Sequence, residues 1–363
     1  MSVNVNYTEK LGLKQVINAS GKMTILGVSR ASEGIKAAQA FASSHFFEMN
    51  ELALACSREL AKLLKAEDAL VASSSASAIV LCSAAVVGKG KKYDPLQTPA
   101  YPEIVLPKGH NVDFGAPVET MIALGGGTVV EAGYANGCSE AHIEERITEK
   151  TAAIIYVDSH HCVQKSHLSA KAATELAHKH GLPIIIDAAA EEDLLSHTAM
   201  GADLVIYSGG KGINGPSSSS IIVGKRQYVE WVRTQQKGIG RAMKVSKETL
   251  LGTLVAVEEF FEKGLESSES QLDRLTPFIE AMNQIKGLAA EVSKDGSGRN
   301  IYRAKVTVTG KDAKVVAAAL KEKSPVVYMR EYLTNVGIIE FDIRSVSAQE
   351  MQQMTEKLKE IME

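Results

Sequence analysis

Residues 204–212 read LVIYSGGKG, and this stretch decides the fold. The apolar residues at its start are too few for a helix and predict a buried strand that ends before Lys211. A second apolar run, residues 184–186, ends in the same way at Asp187. Ligands of open α/β sheets bind beyond the carboxyl ends of the strands, where we expect Asp187 and Lys211 to lie.

The surrounding sequence alternates between strand and helix patterns. Residues 153–157 form another short apolar run, Ser169 can cap a helix that ends at Gly181, and residues 221–223 are again apolar. Apolar strands that alternate with helices indicate a sheet covered on both faces. The sequence therefore predicts an α/β fold with a large, mostly parallel α/β/α sheet domain.

The chain has 363 residues, which is more than one hydrophobic core usually serves, so we expect two domains. The polar stretch 266–270 resembles a boundary, and after it the residues around Val306 alternate between apolar and polar, as in a half-exposed strand. Ser347 and Glu350 form a capping box for a last helix. We therefore assign residues 1–265 to an N-terminal segment and the large domain, and residues 266–363 to a small C-terminal α+β domain.

Composition excludes several classes of function. The net charge of −3 provides no basic field for nucleic acid or anionic lipid. Residues 69–88 are uncharged over a span that could cross a bilayer, but they include five serines, which favours a soluble protein. The N-terminus lacks the apolar stretch of a signal peptide, and the four cysteines form no C-x-x-C pair. We expect a cytoplasmic protein without a bound metal.

Lys211 and Asp187 together suggest a cofactor. A lysine held between glycines can form a Schiff base with pyridoxal 5'-phosphate (PLP), and a nearby carboxylate can keep the ring nitrogen of PLP protonated. The alternative is a solvated lysine and an aspartate that only caps a turn.

Other polar residues could complete such a site. The cluster Ser73, Ser74 and Ser75 follows an apolar run and could bind a phosphate at a helix N-terminus, or merely cap that helix. His110 could stack on the pyridine ring or be an exposed loop residue. Arg344 could bind a substrate carboxylate through two parallel hydrogen bonds, or cover the domain surface.

Three further motifs have weaker interpretations. Residues 210–215 satisfy G-x-G-x-x-G, but Pro216 follows where a dinucleotide-binding fold needs a helix. Ser208 and Lys211 match S-x-x-K, but the two glycines between them oppose a helix. His160, His161 and Cys162 lack the spacing of a zinc site.

Four stretches, taken in order, resemble the selenocysteine-synthase-like branch of the fold-type-I PLP enzymes. They are residues 16–21 (VINASG), 67–71 (EDALV), 202–211 (ADLVIYSGGK) and 241–247 (RAMKVSK). The resemblance implies that Lys211 binds PLP covalently and that Asp187 contacts its ring nitrogen. It places Ser208 and the serine cluster near the cofactor phosphate. The chain departs from the tRNA-dependent synthases at Gly210, where they typically carry an acidic residue, and we expect it to work without the extra RNA-binding domain with which they begin.

Within this branch the sequence is most similar to ammonia-lyases of D-glucosaminate 6-phosphate. The resemblance implies elimination of water and ammonia from a phosphorylated amino sugar acid, which yields 2-keto-3-deoxygluconate 6-phosphate, in at least a homodimer. Candidates for the distal phosphate are Lys22, Arg30, Lys165 and Arg241, each of which could instead be a surface charge. Two alternatives are another PLP-dependent carbanion reaction, such as that of a β-lyase, racemase or aldolase, and a non-catalytic relative of the fold.

Overall fold

The strands were located in a computed structural model that describes residues 5–160, 162, 166, 168–296 and 299–363. Within these residues the strands are β1 (Val16–Ala19), β2 (Asp68–Ala72), β3 (Glu103–Pro107), β4 (Thr128–Ala132), β5 (Thr151–Val157), β6 (Ile184–Asp187), β7 (Leu204–Ser208), β8 (Ser220–Gly224), β9 (Leu288–Lys294), β10 (Tyr302–Val308), β11 (Val326–Met329) and β12 (Ile338–Phe341).

The α-helices in the same part of the chain are α1 (Tyr7–Lys10), α2 (Glu33–Ser44), α3 (Met49–Leu63), α4 (Ser75–Val87), α5 (Val118–Leu124), α6 (Glu140–Glu144), α7 (Ala170–Lys179), α8 (Ser196–Ala199), α9 (Arg226–Gln235), α10 (Lys247–Lys263), α11 (Ser268–Asn283), α12 (Ala313–Leu320) and α13 (Ala348–Met362). Ser169 caps α7, as the sequence predicts.

The chain forms two compact units. The larger unit is Ser29–Gly264, and the smaller unit contains the segment up to Val28 together with Leu265–Glu363. The sequence-based division instead grouped residues 1–265. The structure differs because β1 pairs in parallel with β11, so that Val16 lies opposite Val326 and Ala19 opposite Met329.

The larger unit is built around a seven-stranded sheet with the order β2-β8-β7-β6-β5-β3-β4. The strands from β7 to β4 are parallel, and β8 is antiparallel to both of its neighbours. The predicted α/β fold with a mostly parallel sheet is therefore confirmed. Because β5, β6 and β7 are parallel neighbours, their carboxyl ends meet at one edge of the sheet.

Helices cover both faces of this sheet. Residues of α4, α5 and α9, among them Ile79, Ile122 and Val229, form a buried cluster on one face. Residues of α2, α3, α7 and α10, among them Leu60 and Leu176, form a second cluster on the other face. The central strands are buried on both faces, which explains their nearly continuous apolar sequences.

In the smaller unit, β9, β10 and β12 form an antiparallel sheet. One face of β10 carries Ala304, Val306 and Val308, which pack with α11, α12 and α13. This arrangement matches the two-residue period of the sequence.

The uncharged residues 69–88 correspond to most of β2 and to α4. Both elements are almost entirely buried between the sheet and its covering helices, which explains why charges are absent. Among the described residues, no helix combines the length and apolarity needed to cross a bilayer.

The capping box of α13 gives a test of local stability. Ser347 Oγ accepts the N–H of Glu350, and Glu350 Oε2 accepts the N–H of Ser347 at 2.9 Å. We expect Ser347→Ala to lower the free energy of unfolding by about 1 kcal/mol, because it leaves helix N–H groups without an acceptor. Urea denaturation measures this change. Gln352→Ala, an exposed change on the same helix, is the control and should change stability by less than about 0.5 kcal/mol.

Candidate active site

Asp187 is the last residue of β6 and lies at the carboxyl edge of the sheet. It is paired in register with Val157 of β5 and Ile206 of β7, and it is only 3% exposed. Its Oδ1 accepts the N–H of Ala189 at 3.2 Å. Burial raises the pKa of Asp187 to about 6, although this hydrogen bond and the positive charge of Lys211 oppose the increase. The two predicted residues therefore lie close enough to interact electrostatically.

Lys211 follows β7 in a tight turn. The N–H of Gly209 donates to Ser219 O at 3.0 Å, and the N–H of Gly215 donates to Gly209 O at 2.7 Å. A Cβ atom at Gly209 would lie 1.8 Å from Ser219 Oγ, so only glycine fits there. The glycine two residues before Lys211 thus permits the close approach of the chain to Ser219 in this turn.

Phe114 is a residue of this site that the sequence analysis missed. Its ring centroid lies 5.5 Å from Lys211 Nζ. Phe114 is half-exposed on a small hairpin in which Asp113 bridges to Pro117, and Gly115 has a φ of +109°. The sequence did contain a signal for this residue. Phe114 and Gly115 lie in a polar loop after β3, and that loop is at the same edge of the sheet as Lys211. An aromatic face at this distance favours the ammonium form of the lysine.

The hydroxyls of the serine cluster make hydrogen bonds within the protein, and the assignment of Ser73, Ser74 and Ser75 to a cofactor phosphate stays a prediction. Ser74 Oγ caps α4 by accepting the N–H of Ser77 at 3.0 Å, so the capping alternative is correct for this residue. Ser73 Oγ bonds to Ser77 Oγ, and Ser75 Oγ donates to Ser220 Oγ at 3.4 Å. The hydroxyls are therefore used within the protein.

The backbone of the same turn retains the features of an anion site. Within the described part of the chain, the N–H groups of Ser75 and Ala76 have no hydrogen-bond acceptor. These groups begin the 13-residue helix α4, where the helix dipole favours negative charge. A phosphate at this place would be held mainly by N–H groups.

His110 is fully buried, so the alternative of an exposed loop histidine is wrong. Its Nδ1 accepts the N–H of Val157 at 3.1 Å, which leaves the ring hydrogen on Nε2 in the neutral form. The ring packs edge-on against Tyr156 with centroids 4.5 Å apart. Stacking of His110 on a cofactor ring stays a prediction.

Arg344 belongs to the smaller unit, where Asp342 fixes its side chain. Arg344 Nε and Nη2 donate to the two carboxylate oxygens of Asp342 at 3.0 and 2.9 Å. Burial opposes ionisation of Asp342, but hydrogen bonds and charge from Arg344, together with the charge of Arg303, keep the pKa of this carboxyl below its usual value. Gly21 lies against the same pair, since a Cβ there would be 3.1 Å from Asp342 Oδ2.

The described candidate phosphate cations belong to both units. Lys22 is half-buried in the smaller unit, and Arg30 and Arg241 are exposed in the larger unit. Lys165 lies outside the described residues. Their assignment stays a prediction, as does that of Ser208, which is half-buried at the end of β7.

The residues at the sheet edge fit PLP. Asp187 supplies a buried carboxylate for a ring nitrogen, Lys211 an amine, and the start of α4 supplies free N–H groups for a phosphate. Among the described residues, no group of three or more His, Cys, Asp or Glu side chains is arranged to hold a metal ion.

Comparison with known proteins is consistent with this geometry. The family model described as SelA: L-seryl-tRNA selenium transferase matches residues 50–357. D-glucosaminate-6-phosphate ammonia lyase of Salmonella typhimurium strain 14028s is 40% identical, over 99% of this chain and 98% of that protein. A 5'-C-glycyluridine monooxygenase-decarboxylase of a Streptomyces species is 36% identical, over 98% of this chain and 91% of that protein. A solved structure of D-glucosaminate-6-phosphate ammonia-lyase is 39% identical, has a TM-score of 0.91 and covers 99% of both chains.

The raised pKa of Asp187 predicts a pH-dependent stability in the cofactor-free protein. The folded protein binds the Asp187 proton more tightly than the unfolded chain, so protonation stabilises the fold. This stabilisation is complete below the ordinary pKa of 3.8 and is lost as pH rises through about 6. Asp187→Asn has no charge to bury at any pH, so its free energy of unfolding should exceed that of the wild type by about 3 kcal/mol at neutral pH.

Urea unfolding at a series of pH values measures the difference. Asp342→Asn provides a control of opposite sign, because the lowered pKa of Asp342 stabilises the ionised protein. A difference between Asp187→Asn and wild type that stays constant with pH would contradict the prediction.

Phe114 should protect Lys211. Loss of the ring removes a contact worth roughly 0.5–1 kcal/mol to the ammonium form, so in Phe114→Ala the amine should react a few times faster with an acylating reagent. Peptide mapping of the labelled cofactor-free protein measures the rate at Lys211. Phe114→Tyr should react like the wild type, and so should Tyr134→Ala, which removes another exposed aromatic ring. Equal rates in Phe114→Ala and wild type would refute the assigned contact.

Proposed function

The chain belongs to the SelA family and has the fold of the fold-type-I PLP enzymes, and from this premise we propose that it is a PLP-dependent ammonia-lyase of D-glucosaminate 6-phosphate. The product would be 2-keto-3-deoxygluconate 6-phosphate. The observation that carries the proposal is the full-length similarity to the ammonia lyase, at 40% identity. The arrangement of Asp187 and Lys211 at the carboxyl edge of the sheet supports it.

We propose that PLP binds with its ring nitrogen at Asp187, its aldehyde carbon at Lys211 and its phosphate at the N–H groups of Ser75 and Ala76. When bound, PLP accepts the electron pair that is released at the substrate α-carbon. Asp187 is suited to its part because a buried carboxylate that can ionise near neutral pH pairs strongly with a protonated ring nitrogen.

Lys211 is the proposed base for the proton on the α-carbon. The turn around Gly209 holds the backbone just before Lys211, and the ring of Phe114 lies 5.5 Å from the amine, so both limit the positions that this base can take. The hydroxyl on the neighbouring carbon then leaves as water. A later hydrolysis consumes one water molecule and releases the nitrogen, so that ammonia alone is lost in the balance.

A sugar acid phosphate carries two anionic groups. We propose that Arg344 binds the carboxylate and that the distal phosphate is bound by cations among Lys22, Arg30, Lys165 and Arg241. The two-pronged contact between Arg344 and Asp342 supports the first assignment, because it holds the guanidinium plane in one orientation. We further propose a homodimer or a larger homo-oligomer, as is usual for soluble enzymes that assemble by closed symmetry.

A direct assay tests the function. The PLP-loaded protein is incubated with D-glucosaminate 6-phosphate without any added keto acid, and ammonia and the keto sugar acid phosphate should appear in equal amounts. The similarity to a monooxygenase-decarboxylase makes another carbanion reaction the alternative. Absence of ammonia release, together with turnover of an unrelated amino acid, would favour that alternative.

Lys211→Ala should abolish the covalent link to PLP and lower kcat by at least about a hundredfold, because it removes both the amine and the base. Borohydride reduction and mass spectrometry of the digested protein locate the link. Lys225→Ala is a matched control, since Lys225 pairs with Asp203 near the start of β7 and should leave the link intact. A label on another peptide in the wild type would refute the assignment.

A further inference from the structure

A hydrogen-bonded network joins the half-buried Asp158 to two buried side chains, those of His197 and Tyr207. His197 Nε2 lies 2.9 Å from Asp158 Oδ2, and His197 Nδ1 lies 3.3 Å from the hydroxyl of Tyr207. His197 is 4% exposed and Tyr207 is 1% exposed. Buried polar groups are costly unless they are paired, so each of these contacts contributes to holding the other two groups in place.

The direction of the hydrogen bonds follows from the chemistry of the partners. The carboxylate of Asp158 can only accept, so His197 Nε2 is the donor to Asp158, and Nδ1 of the neutral imidazole is then the acceptor for the Tyr207 hydroxyl. Burial, with smaller effects from Asp193 and Asp158, raises the pKa of the Tyr207 phenol, so its hydroxyl keeps the hydrogen that it donates. Asp193 Oδ1 accepts the N–H groups of Leu195 and Ser196, which fixes the start of α8 and with it the position of His197.

The three hydrogen-bonded side chains lie next to the strand that ends in Asp187. Val157, Asp187 and Ile206 form one row across the neighbouring strands β5, β6 and β7. Asp158 comes directly after β5, and Tyr207 follows Ile206 on β7. His197 therefore connects β5 to β7 across the strand that carries Asp187.

The outer strands also hold Asp187 and its successor through their backbones. The N–H of Asp158 donates to Asp187 O at 2.8 Å, and the N–H of Ala188 donates to Ile206 O at 2.9 Å. Tyr207 is the second-last residue of β7 and lies four residues before Lys211 in the chain. A change in the spacing of β5 and β7 would therefore move both Asp187 and Lys211.

We propose that His197 is a positioning residue: it ties β5 to β7 and thereby sets the placement of Asp187 relative to Lys211. The inference rests on the proposed function only for its cofactor readout. His197 acts through its two hydrogen-bonding partners, Asp158 and Tyr207.

A second histidine–aspartate contact, at the opposite edge of the same sheet, provides a control. His178 Nε2 lies 2.9 Å from Asp203 Oδ2, and the same oxygen accepts the N–H of Ile184. Asp203 precedes β7 and Ile184 begins β6, so this pair holds the amino ends of the strands. His178→Leu thus breaks a histidine–aspartate contact of equal length far from the carboxyl edge.

The first measurement is amide hydrogen exchange in the cofactor-free protein. His197→Leu should raise exchange at the N–H groups of Asp158 and Ala188 by about tenfold, because local opening of the strand ends becomes easier. His178→Leu should raise exchange at Ile184 and leave Asp158 and Ala188 as in the wild type. Equal effects of both variants at both edges would show general destabilisation and overturn the proposal.

The second measurement is the dissociation constant of PLP. We expect His197→Leu to weaken PLP binding by about tenfold, whereas His178→Leu should bind like the wild type. Unchanged binding in His197→Leu would overturn the proposal. If the wild type itself does not bind PLP, the proposed function fails, and the exchange contrast still decides whether His197 ties the strands.

Tyr207→Phe covers the case in which His197→Leu does not fold. It removes only the hydroxyl and should raise exchange at Asp158 and Ala188, and weaken PLP binding, by about a third of the factor expected for His197→Leu. Combined with Asp158→Asn, it should have less than an additive effect, because both changes break one connected chain. Additive effects of the two variants would show that Asp158 and Tyr207 act separately and would refute the link through His197.

Discussion

Asp187 is a carboxylate buried at the end of a strand, and the charge of Lys211 is close enough to lower its pKa against the effect of burial. A buried negative charge is tolerated only if nearby groups compensate for the lost hydration. The protein supplies part of this compensation through the N–H of Ala189 and the charge of Lys211. A protonated ring nitrogen would supply more. The demand for a positive partner at this place links the fold to the proposed cofactor.

The two central residues could be predicted because each follows a short apolar run, and runs of this kind mark the strands of a parallel sheet. The sequence did not predict the order of the strands in the sheet. Asp187 and Lys211 nevertheless lie at the carboxyl edge whatever the order, provided that their strands are parallel. The capping box at Ser347 was also predictable, since it depends on two residues three positions apart. Local patterns and the direction of strands thus gave the architecture of the larger unit.

The remaining parts of the site depend on contacts between distant segments. Phe114 reaches Lys211 from a hairpin nearly a hundred residues earlier, and His197 meets Asp158 only after the chain has folded. The sequence predicted a phosphate site at the serine cluster but not how its hydroxyls are used. In the structure the hydroxyls of Ser74 and Ser77 each accept the backbone N–H of the other residue, so the N–H groups of Ser75 and Ala76 are the ones left for an anion. The pairing of β1 with β11 joins opposite ends of the chain and has no periodic signal.

The antiparallel strand β8 connects two regions of the sheet edge. Ser220 Oγ donates to Tyr207 O at 2.7 Å and accepts a hydrogen bond from Ser75 Oγ. The strand that leads to Lys211 and the first turn of α4 are thus attached to one hydroxyl. The scaffold therefore limits how far the turn that carries Lys211 can move from the N–H groups at the start of α4. Only a ligand whose aldehyde and anionic ends are separated by the distance from the amine to those N–H groups can engage both at once.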